Sequence, residues 1–178
     1  MPLAQAETNQ PLPNSKIRRP RAEDAVAVHD LIAASPPLDP NSLYANLLQC
    51  THFAETCAIA CDDDGVLGWV SGYLPPQQPQ TFFLWQVAAH PRARGRGIAS
   101  RLIDNILSRD VCASVTQLTT TITLENVQSW RLFTRLAGRL DAPMRRELWF
   151  DRERDFASRH DSEFLVTIGP IEQRALAR

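Results

Sequence analysis

The residues best suited to chemistry lie together in Val87-Ala88-Ala89-His90-Pro91-Arg92-Ala93-Arg94-Gly95-Arg96-Gly97-Ile98-Ala99. A strand-like apolar run ends at Ala89, and His90-Pro91 breaks it. Glycines then alternate with arginines, and a helical apolar stripe begins at Ile98. Gly95 and Gly97 carry no side chain, so the backbone there can approach an anion closely. The first N–H groups of a helix lack intrahelical acceptors, and the helix dipole favours negative charge beside them. Arg92, Arg94 and Arg96 add charge-assisted donors. The pattern predicts phosphate binding, weighed against the plainer reading of a basic surface turn. It is not the dinucleotide fingerprint, which needs three glycines after the first strand of a βαβ unit. Nor is it a Walker loop, which would end in Gly-Lys-Ser/Thr.

The rest of the chemistry is sparse. Cys50, Cys57, Cys61 and Cys112 do not form a paired metal-ligand pattern. Cys57, Cys61 and His52 have the wrong spacing for zinc and read as small buried or structural side chains, so no metal is expected. No basic segment followed by an apolar run opens the chain, which points to a reducing cytoplasm rather than a secreted disulfide scaffold. A formal net charge of -1 creates no global field to gather nucleic acid or an anionic membrane. The apolar run near Phe82 to Ala89 is too short to cross a bilayer. Hydrophobic residues at 44% and charged residues at 22% are a folded-protein balance, and 178 residues suffice for one core.

The positioning elements follow from pattern. Residues 1–16 hold Pro2, Pro11, Pro13 and several polar residues without periodicity, which predicts a disordered tail before a single domain over 17–178. A short strand is expected at Ile17-Arg18-Arg19. Ala25, Val28, Leu31 and Ile32 fall on one face of a helix over Glu23–Ala34. Pro36, Pro37 and Pro40 stiffen the next connection, and Asn41 or Ser42 can cap a helix reaching Cys50. Thr56–Cys61 and Val66–Tyr73 form a hairpin around Asp62-Asp63-Asp64-Gly65. Thr81–Ala89 reads as a central strand. Residues 115–124 alternate as a strand, a helix follows over Asn126–Ala137, and Glu147–Phe150 and Glu163–Ile168 close the chain. This order predicts an α/β domain with a mixed sheet.

Arg92, Gly95 and Gly97 match the Arg/Gln-x-x-Gly-x-Gly/Ala acyl-CoA loop after the fourth strand of the GNAT acyltransferase superfamily, which residues 17–140 resemble. The resemblance implies a mixed, mostly antiparallel sheet with helices on both faces and a splayed central strand pair. It implies acetyl-CoA as co-substrate. The pantetheine arm would pair with the backbone near Val87 and Ala89, at a bulge in the fourth strand. The pyrophosphate would sit on N–H groups from Arg94 to Ala99, including Ile98. Asn126 matches an Asn that contacts CoA in many members. One departure concerns catalysis. Many members place a Tyr seven residues after that Asn to protonate the departing thiolate, and here the position is Phe133.

Pro36-Pro37-Leu38-Asp39-Pro40-Asn41-Ser42-Leu43-Tyr44, Asn46–Phe53, Val70-Ser71-Gly72-Tyr73, Trp85-Gln86-Val87-Ala88 and His160-Asp161-Ser162-Glu163 resemble the L-2,4-diaminobutyrate acetyltransferases of ectoine biosynthesis. This implies acetyl transfer to the γ-amino group of a diamino acid. An alkyl amine has a pKa of roughly 10, so it arrives protonated and must lose a proton before it attacks. Asp39, in its Pro-braced loop, is then a candidate ammonium anchor, against a plain Asp-Pro turn. Tyr44 could touch substrate or replace the missing thiolate acid, against ordinary packing. Trp85 could wall the substrate pocket. Glu163 is a second anchor or base, and His160 has the intrinsic pKa of a proton shuttle. Glu125 reads as a helix-start charge close to the expected thioester. Superfamily members are often dimers, which implies a homodimer. Another small amine substrate, or a non-catalytic CoA-binding domain, remains the alternative.

Overall fold

The computed structural model describes residues 14–172. Among these residues the strands are β1 (Lys16–Arg18), β2 (Ala58–Asp62), β3 (Gly65–Tyr73), β4 (Thr81–Ala89), β5 (Gln117–Thr123), β6 (Met144–Phe150) and β7 (Glu163–Ile168). The helices among them are α1 (Ala25–Ala33), α2 (Leu43–Thr51), α3 (Ile98–Leu107) and α4 (Val127–Arg139). The strands form one sheet in the order β1-β2-β3-β4-β5-β7-β6. Pairing is antiparallel for β1–β2, β2–β3, β5–β7 and β6–β7, and parallel for β4–β5. The sheet is therefore mixed and mostly antiparallel, as expected. Residues 1–13 of the expected tail lie outside the described residues. Lys16, assigned to that tail, already pairs with Cys61 in β1.

The described residues form two compact units, 14–71 with Gln86–Ile106 and Gly72–Trp85 with 107–172. In the first, Ala25, Val28, Leu31 and Ile32 of α1 are all buried, which is the face the periodicity predicts. They pack with Cys50, Cys57, Ile59, Trp69 and Ala88. Ser42 caps α2, its Oγ accepting from the Ala45 N–H at 3.1 Å. Ile98, Leu102, Ile103, Ile106 and Leu107 of α3 are buried. A Cβ on Gly68 would stand 3.0 Å from Leu102 and 3.3 Å from Ile98, so that glycine lets α3 lie close on β3.

In the second unit, β4 pairs with β5 over Thr81–Phe83 against Gln117–Thr119. β5 runs against β7 along its whole length. A Cβ on Gly72 would come within 2.7 Å of the Phe83 carbonyl, so the Gly72 position admits only glycine without a backbone shift.

Several boundaries differ from the sequence reading: α1 begins at Ala25 after a separate 3-10 turn rather than at Glu23, β2 spans Ala58–Asp62 rather than Thr56–Cys61, and β5 spans Gln117–Thr123 rather than 115–124. α4 continues past Gly138, and Asp141 (φ 49°) makes the left-handed exit instead. The Ala142 N–H bonds to the Ala137 carbonyl at 3.0 Å and the Asp141 N–H to the Gly138 carbonyl at 3.3 Å, a Schellman closure. β6 starts at Met144 rather than Glu147. Its residues are exposed almost throughout, so Met144-Arg145-Arg146 carries no burial alternation to read.

Candidate active site

The segment expected to bind phosphate stands as a built turn. The His90 N–H donates to the Leu67 carbonyl at 2.9 Å, fastening the end of β4 to β3. A single 3-10 turn, Pro91–Ala93, follows with Ala93 fully buried. Gly95 (φ 72°) and Gly97 (φ 68°) then adopt the left-handed conformation that side chains resist. A Cβ on Gly95 would meet no protein atom within 4 Å, so the glycine serves backbone geometry and open space. α3 begins at Ile98, leaving N–H groups of Arg96 to Ala99 at a helix start of ten residues.

The three arginines part company here. Arg92 is committed: NH1 and NH2 donate to the two carboxylate oxygens of Asp62 at 2.5 and 2.7 Å, and NH1 lies 3.7 Å from Asp64. The hydrogen bonds from Arg92 hold the Asp62 carboxyl below its ordinary range, against the opposing effect of desolvation. Arg92 thus ties the β2–β3 turn to the loop. Arg94 donates from Nε to the Ala89 carbonyl at 3.2 Å. Arg96 is exposed.

Along β4 the side chains alternate. Leu84, Gln86 and Ala88 are buried; Trp85 is exposed and Val87 and Ala89 are half-buried. Trp85 meets Tyr73 edge to face, centroids 6.4 Å apart, and Tyr73 packs on Phe83 at 5.1 Å. Gln86 reaches the Pro-braced loop: its Oε1 accepts from Asn41 Nδ2 at 2.7 Å, and its Nε2 donates to the Asp39 carbonyl at 2.8 Å. Asp39 is exposed there, and Tyr44, in the first turn of α2, is 68% exposed.

His160 and Glu163 come together in the second unit. His160 Nδ1 lies 2.7 Å from the Asp161 carbonyl, which can only accept, so Nδ1 carries a proton. Nε2 then faces Glu163 Oε1 at 3.9 Å. The ring packs on Phe156 at 4.7 Å. The preceding loop is fastened by Asp151, whose Oδ1 accepts from the Glu153 and Arg154 N–H groups, and by Arg152, which ion-pairs with Asp161 at 2.6 Å.

Asn126 caps α4, its Oδ1 accepting from the Ser129 N–H at 3.1 Å, which leaves the two amide N–H donors to meet a ligand. Glu125 is exposed just before it. Phe133 is 2% exposed and belongs to the core. Burial pushes the thiols of Cys50 and Cys112 up to about 12 and about 11, and that of Cys61 upward, so none is an activated nucleophile. Among the described residues, no three His, Cys, Asp or Glu are placed to hold a metal ion. Gln86, Asn41 and Tyr73 are the participants the sequence reading did not single out. Gln86 is the one residue of Thr81–Ala89 with an amide side chain, which was the available signal.

The acetyltransferase (GNAT) family matches residues 25–138. The L-2,4-diaminobutyric acid acetyltransferase of Methylotuvimicrobium alcaliphilum is 47% identical over 161 residues, 90% of this chain and 94% of that protein. The enzyme of the same name from Halomonas elongata is 44% identical over 88% of this chain and 81% of its own. Among solved structures, the diaminobutyrate acetyltransferase EctA from Paenibacillus lautus, in complex with its substrate L-2,4-diaminobutyric acid and coenzyme A, superposes with a TM-score of 0.83. It is 32% identical, over 88% of this chain and 95% of that one.

Proposed function

The chain belongs to the L-2,4-diaminobutyrate acetyltransferases of the GNAT family, and we propose that it acetylates the γ-amino group of L-2,4-diaminobutyrate in a ternary complex with acetyl-CoA. The product is N-gamma-acetyl-diaminobutyrate for ectoine biosynthesis. The observation that carries this reading is the likeness, over nearly the whole chain, to an enzyme solved with that substrate and coenzyme A.

The chemistry divides among the residues as follows. N–H groups from Arg94 to Ala99 receive the pyrophosphate of CoA, with Arg94 and Arg96 adding positive charge. The backbone at Val87 and Ala89 pairs with the pantetheine arm, and Asn126 meets CoA through its amide nitrogen. Asp39 and Glu163 hold the ammonium groups, while Trp85 and Tyr44 bound the substrate. His160, its Nδ1–H directed at the Asp161 carbonyl, serves as the shuttle for the proton of the attacking nitrogen. The amine lone pair then forms the N–C bond, the carbonyl π electrons move to oxygen, and the Val87 N–H stabilises that oxyanion. The nitrogen, cationic once the bond has formed, sheds its second proton; collapse expels the CoA thiolate, and that proton neutralises it through solvent. Direct attack suits a chain in which burial holds the Cys50, Cys61 and Cys112 thiols high. The enzyme works in the cytoplasm, where acetyl-CoA is made, and as a homodimer whose contact surface is β6, the edge strand with Leu148, Trp149 and Phe150 exposed.

The test is purified protein with acetyl-CoA and L-2,4-diaminobutyrate, with thiol release followed and the product identified by NMR. Acetyl on the γ-nitrogen is expected, with kcat/KM far above that for ornithine, lysine or putrescine. Asp39→Ala raises KM for diaminobutyrate and Glu163→Gln lowers kcat/KM, each by about tenfold or more. Equal turnover of the other amines, or acetyl on the α-nitrogen, would overturn the assignment.

A further inference from the structure

We propose that Gln86 is a positioning residue that sets where Asp39 and Tyr44 stand relative to the β4 backbone, and thereby fixes the length of amine the enzyme accepts. The inference rests on Asp39 anchoring an ammonium group, as proposed above.

Gln86 is 7% exposed, on a face of β4 where its neighbours are Leu84 and Ala88. A primary amide on such a face is costly unless both ends are bonded. Both are, and to the same short loop: Oε1 to Asn41 Nδ2 at 2.7 Å and Nε2 to the Asp39 carbonyl at 2.8 Å. The orientation of the amide is forced. A carbonyl oxygen only accepts, so the nitrogen must face Asp39, and the oxygen is left to accept from Asn41.

The loop requires such help. Pro36, Pro37 and Pro40 supply no N–H, so the segment has few donors with which to satisfy its own carbonyls. Leu38 donates one local bond, to the Ser35 carbonyl at 3.1 Å. Gln86 supplies the donor for Asp39 from a strand 47 residues away in sequence. The second bond, at Asn41, lies one residue before Ser42, the cap of α2. It therefore fixes where α2 starts, and with it Tyr44. In β4 itself Gln86 sits between Trp85, which walls the substrate, and Val87, whose N–H faces the oxyanion in the proposed mechanism. One side chain thus links the ammonium anchor to the strand that carries the acyl group. An ångström of slack in that link misplaces the attacking nitrogen, and such errors cost up to about a hundredfold in rate.

The experiment compares Gln86→Leu, Asn41→Ala, Asp39→Ala and the double variant Asp39→Ala/Gln86→Leu. Circular dichroism and acetyl-CoA affinity by calorimetry report folding. Gln86→Leu is expected to raise KM for diaminobutyrate about tenfold, with KM for acetyl-CoA within about twofold of the parent. Its preference for diaminobutyrate over ornithine, one methylene longer, falls by a similar factor. In the Asp39→Ala background the Gln86 substitution adds less than about twofold, because the two act through one contact. If Gln86→Leu does not fold, Asn41→Ala, which cuts the half-buried end of the clamp, carries the same prediction at smaller size. The proposal is overturned by an unchanged KM for diaminobutyrate in both clamp variants, by an equal rise in KM for acetyl-CoA, or by a full Gln86 effect without Asp39. A normal KM for diaminobutyrate in Asp39→Ala would defeat the anchor reading and the clamp with it. An impaired Asp39→Ala beside a normal Gln86→Leu would defeat the clamp alone.

Discussion

Phe133 occupies the place where many GNAT enzymes carry a tyrosine, and it is buried in the inner face of α4. A hydroxyl added there enters the core, where an unbonded one costs roughly 1–3 kcal/mol. Phe133→Tyr is therefore expected to lower the melting temperature by several degrees without raising kcat, measured by calorimetry and steady-state kinetics. A rise in kcat would show that the thiolate lacks only a proton donor at that position. Individual residues were unevenly legible in the sequence. Gly95 and Gly97 announced their backbone geometry, because positive φ selects glycine. Arg92 looked like its neighbours Arg94 and Arg96, since nothing local says that Asp62, 30 positions earlier, takes its guanidinium. Gln86 was quoted only as part of a motif, because a polar residue in a strand reveals its partners only once the Asp39 loop is placed.

The start of the fold depends on one ion pair. Arg18 in β1 donates to both carboxylate oxygens of Asp24, in the 3-10 turn before α1, at 2.7 and 2.8 Å. Asp24 also accepts from the Arg21 N–H at 2.7 Å. The Arg18 hydrogen bonds lower the Asp24 pKa against the opposing cost of burial. A lowered carboxyl contributes stability above the usual carboxylate range and loses it as pH falls through the folded value. Arg18 is 37% exposed, so solvent screens part of the effect. Asp24→Asn should cost about 1 kcal/mol at pH 7, and the difference from the parent should shrink toward pH 3. Urea unfolding at the two pH values measures it; an equal gap at both would assign the loss to packing. Elements with a buried face were readable as elements. The four positions assigned to the apolar face of α1 are all buried, and β4 and β7 have the bounds their patterns give. The start of β6 was hidden because an exposed edge strand has no inside to alternate with.

At the scale of the whole molecule, the edge is the exposed feature. β6 is hydrogen-bonded to β7 and, among the described residues, has no second neighbour in the sheet, and Leu148, Trp149 and Phe150 are each more than two-fifths exposed. Such an edge is prone to pair with another chain. Light scattering at micromolar concentration should give twice the 20.0 kDa chain mass. Trp149→Glu should shift the mass toward one chain; a monomeric parent would refute the homodimer. The order of elements and the mixed sheet were legible because strand and helix periods alternate along the sequence. The pairing partners were not, since β7 lying between β5 and β6 depends on long-range register that no local pattern encodes.

The four cysteines have a further consequence. Cys50, Cys57 and Cys112 are at most 1% exposed, and burial keeps the Cys50 and Cys112 thiols protonated at neutral pH. A disulfide reagent added to the folded enzyme thus meets little thiolate of the protein's own. The colour it develops during turnover reports coenzyme release. Heat or denaturant uncovers four thiols in each chain, so the same reagent, without substrate, times the opening of the fold.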